Sequence, residues 1–513
     1  MNPMLLPTAG FFDEPAAVLE NISDHLYGQL LAWLLLAAGL WFTLRTRGLQ
    51  VRLFPQMLRA ITVSRGDVGE GMSSFQAFTV GLASRVGTGN IVGVAIAITM
   101  GGPGAVFWMW VVALVGMATG FVESTLAQLF KVAHPDGTFR GGPAYYIHKG
   151  LGSRTVASVF AVVITFVFGF AYEATQANAI SNVLKGTFDV EPWKTAIVLV
   201  LITTPVVFKG IKRVAAITEW LAPLMALIYV IIAVVILVLN VGAIPAALGS
   251  VFKGAFGLDQ AFWGIGGGFM AATLNGIKRG LFSNEAGEGS VPNAAATATV
   301  HHPVQQGFIQ SMGVFVDTIV VCTATALIIL LSGVYDPATA SMDAAGTLTV
   351  NSVSAVLGPW AKYLMAAVVF VFAYSSLLGN YAYAEVNMDF LRGMGRSHYG
   401  VRAMIVVAAA LGSVASLSFV WNLSDVAMGV MAIINIISVV LLGRWAFGAL
   451  RDWEQQQREV RAGVRDRIYF VSTGNPYLPA ELPDDVWTEA AAVRREAAPV
   501  PVTGDDGSGA TLG

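Results

Sequence analysis

The amino-acid sequence predicts an all-α polytopic membrane protein with eleven transmembrane helices, and three observations support this fold class. Hydrophobic residues make up 55% of the 513 positions, charged residues only 12%, and the mean hydropathy is +0.67. A soluble protein of this size needs far more charge to cover its surface. Apolar runs of roughly 20 residues, long enough to cross a bilayer, recur along almost the whole chain. Basic residues gather in alternate loops between those runs.

The apolar runs define the predicted spans in order. The first twenty residues contain no Lys or Arg, so the first run is expected to be a retained helix and not a cleaved leader. The fifth run is short, and the seventh is rich in glycine. The spans cover roughly 26–44, 74–99, 105–130, 155–184, 193–208, 214–240, 260–280, 305–333, 360–385, 402–421 and 424–448.

Loop charges predict that the N-terminus lies outside and the C-terminus lies in the cytoplasm. With this orientation the outer loops hold only Lys185, Lys194, Lys253 and Lys362. The long outer loop at 332–358 has no basic residue, and we expect either an exposed loop or a short lid there. The cytoplasmic loops hold Arg45, Arg47, Arg52, Arg59, Arg65, Lys131, Arg140, Lys149, Arg154, Lys209, Lys212, Arg213, Lys278, Arg279, Arg392, Arg396 and Arg402.

These spans divide the chain into four parts. Residues 1–70 hold an N-terminal helix and a basic cytoplasmic loop. Residues 71–240 and 255–450 hold five helices each. The polar tail, 451–513, is expected to be a cytoplasmic surface helix followed by disorder.

Several classes of function lack their usual residues. The single cysteine, Cys322, allows no intrachain disulfide, and the six histidines show no metal-ligand spacing. No ATP-binding loop and no nucleophile paired with a base occur, so we expect neither a primary pump nor an enzyme. A channel would show a repeated filter, which is absent. We expect no organic cofactor and no nucleic-acid partner.

Two segments break the rule that a membrane helix is uniformly apolar. They are "ASRVGTGNIVGVA" (83–95) and "FWGIGGGFMAATLNGIKRGLFSNEAGEGS" (262–290). Glycine weakens a helix by roughly 1 kcal/mol relative to alanine, so the Gly266–Gly268 cluster is expected to unwind. With the first span set aside, each segment opens one group of five helices. This arrangement predicts an inverted-repeat transporter with its site between the two breaks. Helix N-termini there can hold an anionic group and freed carbonyls can hold a cation, so an amino acid, which carries both charges, fits the site.

The motifs "RVGTGNIVGVA" (85–95), "GGPGAVFWMW" (101–110), "GGPAYYI" (141–147), "RGLFSNEAGEGS" (279–290) and "FAYSSLLG" (372–379) resemble the alanine/glycine:cation symporter family. The resemblance implies a LeuT-type fold: a 5+5 inverted repeat preceded by one extra N-terminal helix. It also implies symport of Na⁺ with a small neutral amino acid, alanine or glycine, into the cell. The chain would then be a multi-pass protein of the plasma (bacterial inner) membrane.

The resemblance further implies individual roles for residues of the two breaks. Backbone N–H groups of the first break would bind the substrate carboxylate, and the Asn90 side chain would either help or only pin the break. The implied substrate-binding residues are Gly87, Thr88, Gly89, Asn90, Gln176 and, beside the second break, Phe269 and Thr273.

The implied sodium site lies between the second and ninth spans. One serine in an apolar helix can bond back to its own backbone, but two adjacent serines suggest an external partner. The implied ligands are the carbonyls of Ala83, Val86 and Phe372 and the hydroxyls of Ser375 and Ser376.

One departure from the family pattern leaves the substrate open. Where the family shows Gly-Trp after the serine pair, this chain has Gly379 and Asn380. Asn380 is expected in the substrate pocket, where a larger or polar neutral amino acid such as serine or glutamine becomes an alternative. Intramembrane acids keep proton coupling as a second alternative, with sodium favoured. Glu285 and Glu288 resemble a family signature, and we expect them to make a helix cap or a gate contact.

Overall fold

The computed structural model describes residues 8–63, 72–135, 137–257 and 264–490, which are predominantly helical. The N-terminal part forms one long helical rod with a π-helical turn at Tyr27–Leu31, followed by two short helices. Its helices are α1 (Thr8–Leu26), α2 (Ala32–Arg45), α3 (Leu49–Arg52) and α4 (Phe54–Val63).

Residues 72–257 form nine further helices and one small antiparallel hairpin. Helix α5 begins with a capping box, in which the Ser73 hydroxyl accepts the Gln76 N–H and the Gln76 side chain accepts the Ser73 N–H. A π-helical turn at Val167–Ala171 joins α9 to α10. The helices are α5 (Ser74–Arg85), α6 (Val94–Gly101), α7 (Gly104–Leu129), α8 (Pro143–Gly150), α9 (Arg154–Phe166), α10 (Tyr172–Phe188), α11 (Pro192–Val207), α12 (Ile211–Leu239) and α13 (Ile244–Ala255), and the strands are β1 (Val132–Ala133) and β2 (Phe139–Arg140).

The remaining described residues form eight helices around the same core. Helix α7 packs against α14 and α16, and α10 packs against α19 and α20. A π-helical turn at Phe315–Cys322 joins α16 to α17. The helices are α14 (Gly264–Asn284), α15 (Val291–Thr297), α16 (Val304–Val314), α17 (Thr323–Leu331), α18 (Met342–Leu357), α19 (Ala361–Arg392), α20 (Tyr399–Val414) and α21 (Leu417–Arg461).

A helix lies at each of the eleven predicted spans, but not all of these helices are long and apolar enough to cross a membrane. In the part of the chain that the structure describes, seven helices are long and apolar enough to do so, and the bent pair α5–α6 makes an eighth. Helices α11 and α20 have 16 residues each, fewer than the roughly 20 that a bilayer requires. Eleven transmembrane helices therefore remain a prediction.

The last two predicted spans need a correction at their shared boundary. The turn between α20 and α21 lies at Ala415–Ser416, not at 421–424, and the Ser416 hydroxyl caps α21 by accepting the Phe419 N–H. Apolar residues continue through this turn, so hydropathy alone cannot locate it.

The segment 332–358, which was predicted to be an outer loop, contains helix α18. The Ser341 hydroxyl caps its first turn, and Thr349 Oγ1 donates a 2.9 Å hydrogen bond to the carbonyl of Ile91 in the first break. Residues 342–357 of this segment therefore form a helix that packs against the first break.

The tail differs from the expectation of disorder over residues 462–490. These residues fold back onto one end of the helix bundle, where Trp487 is 1% exposed and its Nε1 donates to the Gln128 carbonyl at 2.8 Å. Residues 491–513 lie outside the described residues.

Candidate substrate and cation site

The first predicted break is present between α5 and α6. Helix α5 ends at Arg85, Val86 has non-helical angles (φ −78°, ψ 85°), and a π-helical turn at Gly89–Gly93 leads into α6. The two helices are bent by 45°. A Cβ atom at Gly87 would lie only 2.0 Å from Oγ of Ser376 on α19, so the close approach of the two helices requires glycine here.

Side-chain amides occupy part of the hydrogen-bonding capacity of this break. Asn90 Oδ1 accepts the N–H of Gly87 at 2.9 Å, and Gln176 Oε1 accepts the N–H of Thr88 at 3.4 Å. Asn90 therefore pins the break, and Gln176 lies beside it. The Thr88 hydroxyl is buried without a hydrogen-bond partner among the described residues. A carboxylate that binds here would replace the amide oxygens as acceptor.

The other end of the Asn90 amide belongs to a buried polar cluster. Asn90 Nδ2 donates to Asp317 Oδ1 at 2.6 Å, while Ser283 Oγ and Thr318 Oγ1 donate to Asp317 Oδ2 at 2.7 and 2.8 Å. The Cys322 sulfur lies 3.2 Å from Asn90 Nδ2. Three hydrogen bonds compensate for the burial of the Asp317 carboxylate, which in turn fixes the orientation of the Asn90 amide.

Four of the five predicted sodium ligands are in direct contact at the junction of α5 with α19. Ser376 Oγ donates to the Ala83 carbonyl at 2.8 Å and lies 3.2 Å from the Phe372 carbonyl, which also accepts from Ser375 Oγ at 2.8 Å. Val86, the fifth, is the first non-helical residue of the adjoining break. Carbonyl and hydroxyl oxygens of this kind suit a hard cation.

The second break lies at the C-terminal end of α14. The helix stops at Asn284, and Glu285 takes a left-handed conformation with φ +55°. Gly287 and Gly289 also have positive φ, and the chain becomes helical again at Val291. Residues 285–290 are buried, so this stretch is irregular backbone enclosed by protein.

The expectation of unwinding at Gly266–Gly268 is wrong, because α14 runs through these glycines without a break. Phe269 and Thr273 are consequently far from the second break. Thr273 Oγ1 bonds the Phe269 carbonyl within the helix, and the Phe269 ring packs on Trp108 at 5.7 Å. Thr273 lies roughly 16 Å along the helix from its C-terminal end.

Phe282 and Ser283 take the place predicted for those two residues. A Cβ at Gly89 would lie 3.1 Å from the Phe282 ring and 3.2 Å from Ser283 Cα. The Phe282 ring packs against Tyr172 and Trp421, each with a centroid separation of 4.5 Å. Phe282 and Ser283 lie within the motif "RGLFSNEAGEGS" (279–290), but only the position of the helix end identifies them as neighbours of the first break. No local pattern indicates Trp421.

Long polar side chains satisfy the backbone of the second break. Glu123 Oε1 accepts the Gly287 N–H at 3.1 Å, and Asn435 Nδ2 donates to Glu123 Oε2 and to the Gly287 carbonyl, both at 2.9 Å. The Tyr172 hydroxyl donates to Glu288 at 3.2 Å. Glu288 therefore has a structural partner that the sequence did not indicate.

A direct hydrogen bond links the two breaks. Ser84, near the end of α5, contacts Glu285 Oε1 at 2.6 Å and Asn380 Oδ1 at 2.8 Å, while Ser290 donates to Glu285 Oε2 at 2.7 Å. The predicted pocket residue Asn380 thus lies on Ser84. At neighbouring Gly379 a Cβ would lie 2.8 Å from the Ser84 nitrogen, so α5 and α19 are in close contact.

Charged residues in the membrane region differ in how they are paired. Arg279 forms an ion pair with Asp425. Arg85 Nη1 instead donates to the carbonyl and side chain of Gln310, at 3.2 and 3.3 Å. Both carboxylate oxygens of Glu173 are buried without a partner among the described residues.

Most of the chain is similar to known membrane transporters. The model of a family described as "Sodium:alanine symporter family" matches residues 13–467. The "Amino-acid carrier protein AlsT" of Bacillus subtilis (strain 168) is 45% identical over 441 residues, which cover 86% of this chain and 93% of that protein. The "Probable sodium/glutamine symporter GlnT" of the same organism is 42% identical over 458 residues, covering 88% and 94%.

A solved structure shares the fold at low sequence identity. A manganese transporter from Eremococcus coleocola, in complex with an aromatic bis-isothiourea substituted compound, aligns with a TM-score of 0.53. The alignment covers 78% of this chain and 92% of that chain at 12% identity. At this identity the likeness concerns the arrangement of the helices alone.

Proposed function

The chain belongs to the sodium:alanine symporter family, and we propose that it takes up a small neutral amino acid, alanine or glycine, together with sodium that enters down its gradient. Members of this family are transporters and not enzymes. The observation that carries the proposal is the junction of α5 with α19, where the break at Gly87 adjoins Ser375, Ser376 and the carbonyls of Ala83 and Phe372. A broken membrane helix can hold a substrate carboxylate, and neighbouring carbonyls can hold the coupling ion.

The proposed architecture is the LeuT-type 5+5 inverted repeat with one extra N-terminal helix and eleven spans. The two buried breaks support it, because they follow α5 and α14, the first helices of residues 71–240 and 255–450. The N-terminus is proposed to lie outside and the C-terminus in the cytoplasm of the plasma membrane. The excess of Lys and Arg in alternate loops supports this orientation.

The coupling that we propose acts through Ser376. In the structure its hydroxyl bridges α19 to the Ala83 carbonyl of α5. A sodium ion bound by both oxygens would hold the two helices together more strongly than a neutral hydrogen bond does. Sodium would thereby favour the conformation in which the neighbouring break is ordered for the substrate.

A larger polar substrate is the first alternative. Asn380 presents an amide beside Ser84 and Glu285, and its Nδ2 has no hydrogen-bond partner among the described residues. The 42% identical relative carries a name that includes glutamine. Proton coupling is the second alternative, and the Asp317 carboxylate, which contacts Asn90 of the break, is its candidate.

Uptake of labelled alanine into proteoliposomes that contain the purified chain tests the proposal. We expect saturable uptake that requires an inward sodium gradient and disappears when potassium replaces sodium. Competition by unlabelled glycine, serine and glutamine ranks the substrates. Uptake that ignores sodium but follows an imposed proton gradient would contradict the sodium site.

The serine pair is tested by Ser376→Ala. Loss of one oxygen ligand, worth about 1.5–3 kcal/mol for a contact with a charged partner, should raise the sodium concentration for half-maximal uptake by roughly tenfold or more. Ser413→Ala is the matched control, since the Ser413 hydroxyl is also buried but bonds only the Ala409 carbonyl of its own helix. Equal sodium dependence in the two variants would remove Ser376 from the site.

A further inference from the structure

A charged cavity lies away from the two helix breaks, at the end of the bundle where α2 and α21 meet the returning tail. Its volume is about 500 Å³. Helix α2 contributes its last turn, α21 contributes residues 447–458, and the tail contributes Tyr477. Glu454 is the one acidic residue among the lining residues of this cavity. Five arginines line it: Arg45, Arg47, Arg52, Arg451 and Arg458.

The structure neutralises only part of this positive charge. Arg52 forms a 2.7 Å ion pair with Glu454, and Arg458 donates to Gln455 at 2.8 Å. The side chains of Arg47 and Arg451 make no hydrogen bond or ion pair with any residue that the structure describes. Like charges held together in this way repel one another, so an anion at the centre would lower the free energy of the folded state.

The cavity lies at the edge of the apolar surface that faces the bilayer. Leu40, Trp41 and Leu44 of α2 are 53%, 48% and 65% exposed, and they precede Arg45 by no more than about one and a half turns. The Arg45 guanidinium lies 5.4 Å from the Trp41 ring centroid. Exposed tryptophan beside arginine is typical of the headgroup level of a membrane, not of its interior or of bulk water.

We propose that this cavity binds the phosphate group of an anionic phospholipid headgroup, with the acyl chains along Leu40, Trp41 and Leu44. The planar guanidinium group donates two parallel hydrogen bonds to phosphate oxygens, which makes arginine well suited to this ligand. Basic pockets between membrane helices bind such headgroups on the cytoplasmic side, where anionic lipids are found. A free phosphate ion could make the same hydrogen bonds but would make no contact with the apolar surface of Leu40, Trp41 and Leu44.

The bound headgroup would connect three parts of the chain. Arg47 follows α2, Arg451 and Arg458 belong to α21, and Tyr477 belongs to the tail that lies against Gly448. Lipid binding would therefore stabilise the contact of the N-terminal helix and the tail with the bundle. This proposal is independent of the transported substrate and of the coupling ion.

The test is the thermal stability of the full-length chain in a neutral detergent, titrated with phosphatidylglycerol, phosphatidylcholine or inorganic phosphate. We expect phosphatidylglycerol to raise the Tm, and phosphatidylcholine and inorganic phosphate to have little effect. The double variant Arg47→Gln/Arg451→Gln should need at least about ten times as much phosphatidylglycerol as the parent chain for the same rise in Tm. The matched control is Arg392→Gln/Arg396→Gln, which changes two exposed arginines, the last residue of α19 and one in the turn after it, and should respond as the parent chain does.

A second measurement guards against a variant that is merely unstable. Native mass spectrometry counts the phosphatidylglycerol molecules retained by each chain, and Arg451→Lys should retain an intermediate amount because it keeps the charge but loses the planar fork. An unchanged response in the double variant would overturn the proposal. An equal Tm shift with inorganic phosphate would overturn the lipid assignment, and an equal shift with phosphatidylcholine would overturn the role of the anionic headgroup.

Discussion

At the scale of single residues, Gly87 connects the two halves of the proposed site. Its N–H donates to Asn90 Oδ1, and its Cα lies so close to the Ser376 hydroxyl that no side chain fits. The proposed substrate break and the proposed sodium ligands therefore meet at a single backbone position. A change at this position must disturb both.

Gly87→Ala is expected to abolish sodium-dependent uptake or to raise the sodium requirement by about tenfold or more. The added Cβ would lie 2.0 Å from Ser376 Oγ, so the serine must move from the Ala83 carbonyl and one or two cation contacts are lost. Gly120→Ala is the control, because its Cβ would meet Val314 at an ordinary 3.5 Å in another buried helix. Uptake by the Gly87 variant at parental sodium concentrations would show that the ion binds elsewhere.

Asp317→Asn tests the carboxylate that orients Asn90. An amide at 317 keeps one acceptor oxygen but turns a donor toward Asn90 Nδ2, Ser283 or Thr318, which all donate to this position now. Losing a hydrogen bond to a charged group, worth about 1.5–3 kcal/mol, should raise the KM for alanine roughly tenfold while sodium dependence remains. Uptake that no longer responds to a proton gradient, in a parent chain that did respond, would instead support proton coupling through Asp317.

At the scale of helices, the first break was predicted from local residue types and is present between α5 and α6, whereas the role of the serine pair as sodium ligands stays a prediction. The second break was expected at Gly266–Gly268, yet α14 continues through them and stops at Glu285. Glycine propensity is a weak local preference, whereas Glu123, Asn435 and Tyr172 from three other helices satisfy the backbone and side chains after Glu285. Because the end of α14 was predicted too early in the chain, Phe269 and Thr273 were wrongly expected beside the second break.

The end of α14 gives a prediction about strain. A left-handed conformation costs a non-glycine residue about 1 kcal/mol or more, and the contacts of the Glu285 carboxylate with Ser84 and Ser290 offset this cost. Glu285→Ala keeps the backbone strain and loses the hydrogen bonds with Ser84 and Ser290. Glu285→Gly loses the same hydrogen bonds but also relieves the strain. Both variants should lose transport, but Glu285→Gly should melt at a higher temperature, by on the order of 2 °C, in a detergent thermal-shift assay. A higher Tm for the alanine variant would contradict the assignment of strain to Glu285.

At the scale of the whole molecule, the tail joins elements that lie in both predicted five-helix groups. Trp487 bonds the end of α7, and Phe470 packs on His302 in the connection from α15 to α16 and on Trp487. Asp484 forms an ion pair with Lys149 of α8. The polar composition of the tail suggested disorder, because its scattered aromatic residues give no periodic signal. Their docking depends on surfaces that exist only in the folded bundle.

Trp487→Ala should release the tail without unfolding the helices. Truncating a buried tryptophan costs about 3–5 kcal/mol, and it would remove both the hydrogen bond to Gln128 and the packing on Phe470. We expect proteolysis within 462–490 to become much faster in the detergent-purified chain, while the Tm for loss of helical structure changes little.

Because the tail ties α7 and α8 to the connection between α15 and α16, its release should also raise the maximal rate of alanine uptake and leave the KM unchanged. Val464→Ala is the control, since this tail residue is 77% exposed and its truncation should change neither measurement. Faster proteolysis with an unchanged uptake rate would mean that the tail only covers the bundle and does not restrain the motion that limits transport.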